Sequence, residues 1–165
     1  MDKKTILLQA LQDYHRITGL RSYIIEENQV LQSAGEKNYF CKCLKCSQLA
    51  LQECETCMED TYKQAMEASS PCSFSCHAGL IKWAIPIFDK NKHYVIISEG
   101  ILANKQLEEA PAWIAYLADT YDLDKDMLLH NYNRIRVMDE TQMSASVQLL
   151  QNLLYYHLQM HENEE

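Results

Sequence analysis

Leu7, Leu11, Tyr14 and Ile17 recur at intervals of three and four, which predicts an amphipathic helix over residues 3 to 18, closed by Gly19. Two short apolar-rich runs follow, Ser22 to Ile25 and Gln29 to Ser33, split by Glu26-Glu27-Asn28 in the manner of a hairpin. Gly35 and Asn38 mark a loop, and residues 47 to 68 favour helix, with Leu, Ala, Gln, Glu and Met and neither Gly nor Pro. Strands are expected at Cys72 to Cys76, Leu80 to Phe88 and His93 to Ile101, the last two joined by a turn over Asp89-Lys90-Asn91-Lys92. Pro86 implies an edge or a bulge in the middle strand. Helices resume after Gly100: one begun by Pro111, one capped by Asp124, and one opened by Thr141. In the last of these, Met143, Val147, Leu150, Leu154 and Leu158 form an apolar stripe. The order predicts an α+β fold, an antiparallel sheet flanked by helices. The stripe can pack as core or pair with a second copy, so residues 1 to 140 read as the body and 141 to 165 as a dimerisation or signalling helix with a frayed tail.

Composition narrows the function. A net charge of −8 without a basic stripe argues against direct nucleic-acid binding. No apolar run is long enough for a membrane span or a signal peptide, so a reducing cytoplasm is expected. No glycine-rich phosphate loop, G-x-S-x-G elbow or H-E-x-x-H is present, so no enzyme is indicated. Glu26-Glu27 and Glu108-Glu109 read as solvated faces, and His15, His93, His130, His157 and His161 as surface groups.

All seven cysteines lie between residues 41 and 76. Cys43-x-x-Cys46 and Cys54-x-x-Cys57 are thiol pairs at a spacing that can grip one ion. On a helix, Cys54 and Cys57 share a face, while Cys46 lies roughly 16 Å along the axis from Cys57. Remaining ligands must then come from Cys41, Cys76 or His77. Zinc and an iron–sulfur cluster both suit such a set. A dithiol redox switch is the second reading, and buried structural thiols the third. His77 is a ligand or a hydrogen-bonding group in a small polar pocket; Trp83 is core or a wall of that pocket.

The stretch Cys76-His77-Ala78-Gly79-Leu80 resembles the PocR sensory domain of AraC-type regulators and some histidine kinases. The similarity extends to Thr18-Gly19-Leu20, Phe40-Cys41, Cys54, Pro71, Ala84-x-Pro86 and Leu117-Ala118. It implies a PAS-like sensor fold that binds a small molecule, in the type case a short diol, and switches an output. The family cysteines fall on Cys41, Cys54 and Cys76, with His77 adjoining. Lys82 stands where the family usually has an acidic residue, and Glu99-Gly100-Ile101 lacks the family's amide, so diol specificity does not carry over.

The expectation is thus a cytoplasmic small-molecule or metal/redox sensor, a homodimer acting through a fused or associated helix-turn-helix or kinase module. Cys41, Cys54, Cys57 and Cys76 are the expected metal ligands, with His77, Trp83 and Cys76 around an organic ligand. An iron–sulfur or zinc redox protein without organic ligand is the alternative.

Overall fold

Asp2 starts the first helix by accepting the Thr5 amide on its carboxylate, and Gly19 ends it with a left-handed φ of 74°. The computed structural model describes residues 1–26, 38–90 and 92–163. Among these the order is α1 (Lys3–Thr18), β1 (Ser22–Glu26), α2 (Tyr39–Leu44), α3 (Gln48–Ala68), β2 (Cys72–Ser75), β3 (Ile81–Ile87), β4 (Tyr94–Ser98), α4 (Asn104–Glu108), α5 (Ala110–Tyr121), α6 (Lys125–Tyr132) and α7 (Glu140–Glu162). The strands form one antiparallel sheet in the order β1-β4-β3-β2. The expected α+β architecture is therefore present.

Caps explain most boundaries. Ser47 accepts the Ala50 amide at the start of α3, Asp124 accepts that of Met127, and Pro111 stands in the first turn of α5. Asp139 and Gln142 form a capping box, so α7 begins just before Thr141. The run Gln29 to Ser33 and the turn residue Asn91 lie outside the described residues. Pro86 pairs with Val95 alone, because β2 extends only to Cys72 opposite Ala84. It occupies the locally single-sided position that a residue without an N–H requires.

The sheet is covered on both faces, and every residue of β4 is buried. Ile85, Ile96 and Tyr94 join Leu7, Ala10, Leu11, Leu150 and Leu154 in a cluster with α1 and α7. Opposite, Ala84, Val95 and Ile97 pack with Ala65, Met58 and Tyr62 of α3. A third cluster ties α2, α5 and α6 to Ala78 and Leu80.

Several expectations need adjustment. Ile17 is exposed, and Ile6 and Ala10 are buried on α1 in its place. Along α7, Leu150 and Leu154 are buried with α1, Met143 and Leu158 pack partly buried against the same cluster, and Tyr155, Tyr156 and Met160 are exposed. Glu26 is not on a solvated face: it is buried and paired with Lys4 at 2.7 Å and Lys92 at 2.6 Å. His157 pairs with Asp13 at 2.8 Å, joining α7 to α1. Among the described residues no helix is long and apolar enough to cross a membrane.

Candidate functional site

The Cys76–Leu80 stretch is the hairpin turn between β2 and β3. Gly79 N–H donates to Cys76 O at 2.8 Å, and Cys76 N–H to Leu80 O at 3.0 Å. Gly79 holds φ +86°, and a Cβ there would stand 3.4 Å from the Trp113 indole nitrogen. Glycine is therefore needed for the left-handed backbone, while a Cβ would meet Trp113 of α5 only at ordinary contact distance. Trp113 Nε1 donates to Ala78 O at 2.9 Å and Gln106 Nε2 to Gly79 O at 2.7 Å, so α4 and α5 clamp the turn from outside the sheet.

Clamping fixes where His77 points. Its Nε2 lies 2.8 Å from Cys54 Sγ on α3, and its Nδ1 3.0 Å from Tyr121 Oη at the end of α5. Tyr121 O–H donates in turn to Glu53 Oε2, which also lies 3.4 Å from His77 Nδ1. The direction of the chain follows from these contacts. A carboxylate only accepts, so the Tyr121 proton goes to Glu53 and the phenol oxygen is free to accept Nδ1–H. Nε2 is then the bare nitrogen, and the Cys54 thiol donates to it. The imidazole stands edge-on to the Tyr121 ring, with centroids 5.9 Å apart.

Electrostatics favour neutral partners. Burial pushes the Cys54 thiol up to about 11; neighbouring Cys76 and Cys57 add to this, while Lys45 and Lys82 oppose it. Burial also lowers His77, with Lys82 and Lys45 acting in the same sense against Glu53. Tyr121 is raised by burial and then by its bond to Glu53. Cys57 is raised by burial and by Cys76, while the His77 backbone N–H turned toward it pulls it back. Lys82 is buried on the α3 side of β3, its ammonium 3.0 Å from Tyr23 Oη.

The structure therefore brings Cys54, Cys57, Cys76 and His77 into one neighbourhood. Cys41 is buried in the α2–α5–α6 cluster, against which Cys76 also packs. Trp83 is not at the site: it alternates with Lys82 along β3 and packs in the α1–α7 cluster on the opposite face. The tryptophan beside the histidine turn is Trp113. Glu53, Trp113 and Tyr121 were not among the expected residues; the only local signal was the adjacency of Glu53 to Cys54 and the helical register of Trp113 with Tyr121.

Among the described residues, no three His, Cys, Asp or Glu side chains are grouped so as to hold a metal ion. Cys54 and His77 are not spaced as two ligands of one ion. Two ligands on one tetrahedral zinc stand about 3.6 Å apart at ordinary Zn–S and Zn–N lengths, whereas 2.8 Å is a hydrogen bond. Cys41, Cys54, Cys57 and Cys76 do not form such a group in this arrangement.

A cleft of about 190 Å³ lies elsewhere, lined by Glu99, Arg134 and Arg136 among others. Its guanidinium groups are engaged: Arg136 donates to Thr18 O at 2.6 Å, and Arg134 lies 5.3 Å from the Tyr39 ring centroid. The hydrogen-bonded thiol at the β2–β3 turn is the stronger candidate.

No curated protein and no solved structure matches this chain. A family model does: the sensory domain found in PocR matches residues 3–162. That span includes the histidine turn, α3 with its thiols and the α5 clamp, and the chain belongs to the PocR sensory domain family.

Proposed function

We propose that this chain is a sensing module whose receiving site is the cluster Cys54, Cys57, Cys76 and His77, and that occupancy of the site controls a transcriptional or kinase output unit. Membership of a sensory family supports the general role. The observation that carries the site is the chain from Cys54 through His77 and Tyr121 to Glu53. It links the β2–β3 turn, α3 and α5, so a ligand that competes for either nitrogen of His77 changes how three elements meet. Coupling between a site and an output requires such a difference in contacts between two states.

A small polar organic ligand fits this arrangement better than a resident metal, because Cys54 and His77 are spent on each other. A metal reading requires the pair to separate and Cys57 or Cys76 to turn inward. Purification of the full chain without air, followed by zinc and iron analysis, an absorption spectrum and thermal melts with short alcohols, aldehydes and carboxylic acids, tests the two readings. The expected result is a colourless protein with substoichiometric metal, whose melting temperature rises with at least one class of compound. At a hundredfold excess over Kd the gain is about 2.7 kcal/mol, and it disappears in His77→Ala. Stoichiometric zinc or iron that is lost in Cys54→Ser transfers the case to a metal or cluster sensor. A chain that takes up neither metal nor any of these compounds removes the site from consideration.

A further inference from the structure

Among the seven thiols, Cys54 stands 2.8 Å from a histidine nitrogen whose ring is oriented by two further groups. Nucleophile, base and orienting acid in line is the arrangement that activates a thiol for attack. Here it occurs in a sensory domain rather than beside an obvious catalytic motif. Resting on the reading of this cluster as the receiving site, we propose that Cys54 binds short-chain aldehydes covalently and reversibly as a hemithioacetal, with His77 carrying the proton.

The step balances within the site. Cys54 Sγ forms a bond to the carbonyl carbon as the carbonyl π bond opens onto oxygen. The thiol proton passes to His77 Nε2 and from there to the new oxygen, giving a neutral S–CH(OH)–R adduct. Nothing is oxidised or reduced, and no group leaves. Tyr121 and Glu53 stabilise the imidazolium while it holds the proton, since Glu53 Oε2 is 3.4 Å from Nδ1. Lys45 and Lys82 lie within electrostatic reach of Cys54 and favour the transient negative charge on sulfur or oxygen.

Two observations separate this chemistry from the neighbouring options. A disulfide to Cys57 is disfavoured, because residues three apart on α3 hold their Cβ atoms about 5–6 Å apart while a disulfide needs about 3.5–4.5 Å. Burial raises the free thiol, which disfavours standing thiolate chemistry. Addition to a carbonyl instead starts and ends neutral, drawing on the proton already shared with His77. A reversible adduct also suits a detector, which must release its signal.

The test uses the reduced full chain with carbonyl-labelled 13C acetaldehyde, and ethanol as the matched compound that cannot react. We expect one protein-bound hemithioacetal carbon resonance, present in Cys57→Ser and absent from Cys54→Ser. Its build-up should slow by roughly a hundredfold or more in His77→Gln, the scale of a lost general base, and less severely in Tyr121→Phe. Circular dichroism and a cooperative melt verify that Cys54→Ser is folded; if it is not, the slowed build-up in Tyr121→Phe, which keeps the thiol, decides. No adduct in the wild type, or an adduct that survives in folded Cys54→Ser, overturns the proposal. If acetaldehyde or ethanol stabilises the wild type without an adduct, and His77→Ala abolishes that gain, the covalent step falls while the sensing site stands.

Discussion

The two faces of the sheet are built from different materials. On the α1–α7 side, Leu7, Leu11, Leu150 and Leu154 close on Ile85 and Ile96. The polar contacts between those two helices include Tyr14–Ser146 at 2.5 Å and Asp13–His157 at 2.8 Å. On the α3–α5 side, half-buried thiols, an imidazole, a phenol and a carboxylate occupy the junction of three elements. A close-packed apolar cluster tolerates little rearrangement. A chain of hydrogen bonds can exchange partners at small cost, since each bond adds only about 1 kcal/mol net. The first face supplies stability, and the second is the one we propose as the receiving site.

The sharpest way to break this comparison is to truncate both faces alike. Leu150→Ala removes a side chain that is 1 % exposed, and should cost about 2–5 kcal/mol. For a chain of this size that lowers the melting temperature by very roughly 5–15 °C. Cys54→Ala, which removes a half-buried thiol and its hydrogen bond to His77, should cost far less, about 1 kcal/mol. Chemical denaturation of both variants measures the difference. Equal losses would show that the α3 side is as tightly packed as the other.

Alkaline titration sharpens the same contrast at the site. The Cys54 thiol ordinarily titrates near 9.0 and is held at about 11 in the fold. Below pH 9 both states are protonated. Between these values the unfolded chain gives up its proton first, so the native state binds more protons and stability falls as pH rises. At full extent this is about 2–3 kcal/mol, and it should be absent from Cys54→Ser. Unfolding free energies of wild type and variant from pH 8 to 11 should therefore converge; parallel curves would place the thiol in water.

Gly79→Ala should come next, at about 1–2 kcal/mol, the usual penalty for a side chain in left-handed backbone. Its more telling effect is on position. A Cβ at Gly79 would only touch Trp113, at 3.4 Å, so the strain lies in the left-handed backbone, and relaxing it moves the turn and carries His77 from Cys54. Trp113 fluorescence and His77 ring resonances report the displacement. An unchanged His77 environment would mean that the left-handed turn does not set its aim.

These differences bear on what the sequence can disclose. Helix ends were legible wherever a cap is a local event: Asp2, Gly19, Ser47 and Asp124 act on residues within four positions. α2 was missed because Tyr39–Leu44 is a single short turn and a half, with Cys and Tyr in place of strong helix formers. Glu26 read as solvated because its partners, Lys4 and Lys92, are distant in the chain. The site was half legible. Cys54, Cys76 and His77 stand out by residue type, but Tyr121 lies 44 positions from His77 and 68 from Glu53, and only the fold joins them. Trp83 was misplaced by proximity: six residues beyond His77, it points through the sheet to the other side.

The smallest expected effect concerns His77 in mild acid. Burial lowers its pKa from the ordinary 6.5, and Lys82 and Lys45 reinforce this, while Glu53 opposes it. Because the folded state prefers the neutral ring, its contribution is complete above pH 6.5. As pH falls below that value, the unfolded chain binds a proton that the native state still refuses, and stability declines until the folded ring also titrates. Removing the opposing charge should enlarge the effect: in Glu53→Gln the ring has less to stabilise its proton, and the decline between pH 6.5 and 5 becomes steeper than in wild type. Tyr121 keeps an acceptor in that variant, so the hydrogen-bond chain is preserved while the charge is lost. Stability curves over this range, together with the His77 titration followed by NMR, check both statements. A His77 pKa that rises in Glu53→Gln would mean that the carboxylate does not face the ring, and the distinction between a dry packed face and a poised polar one would lose its electrostatic basis.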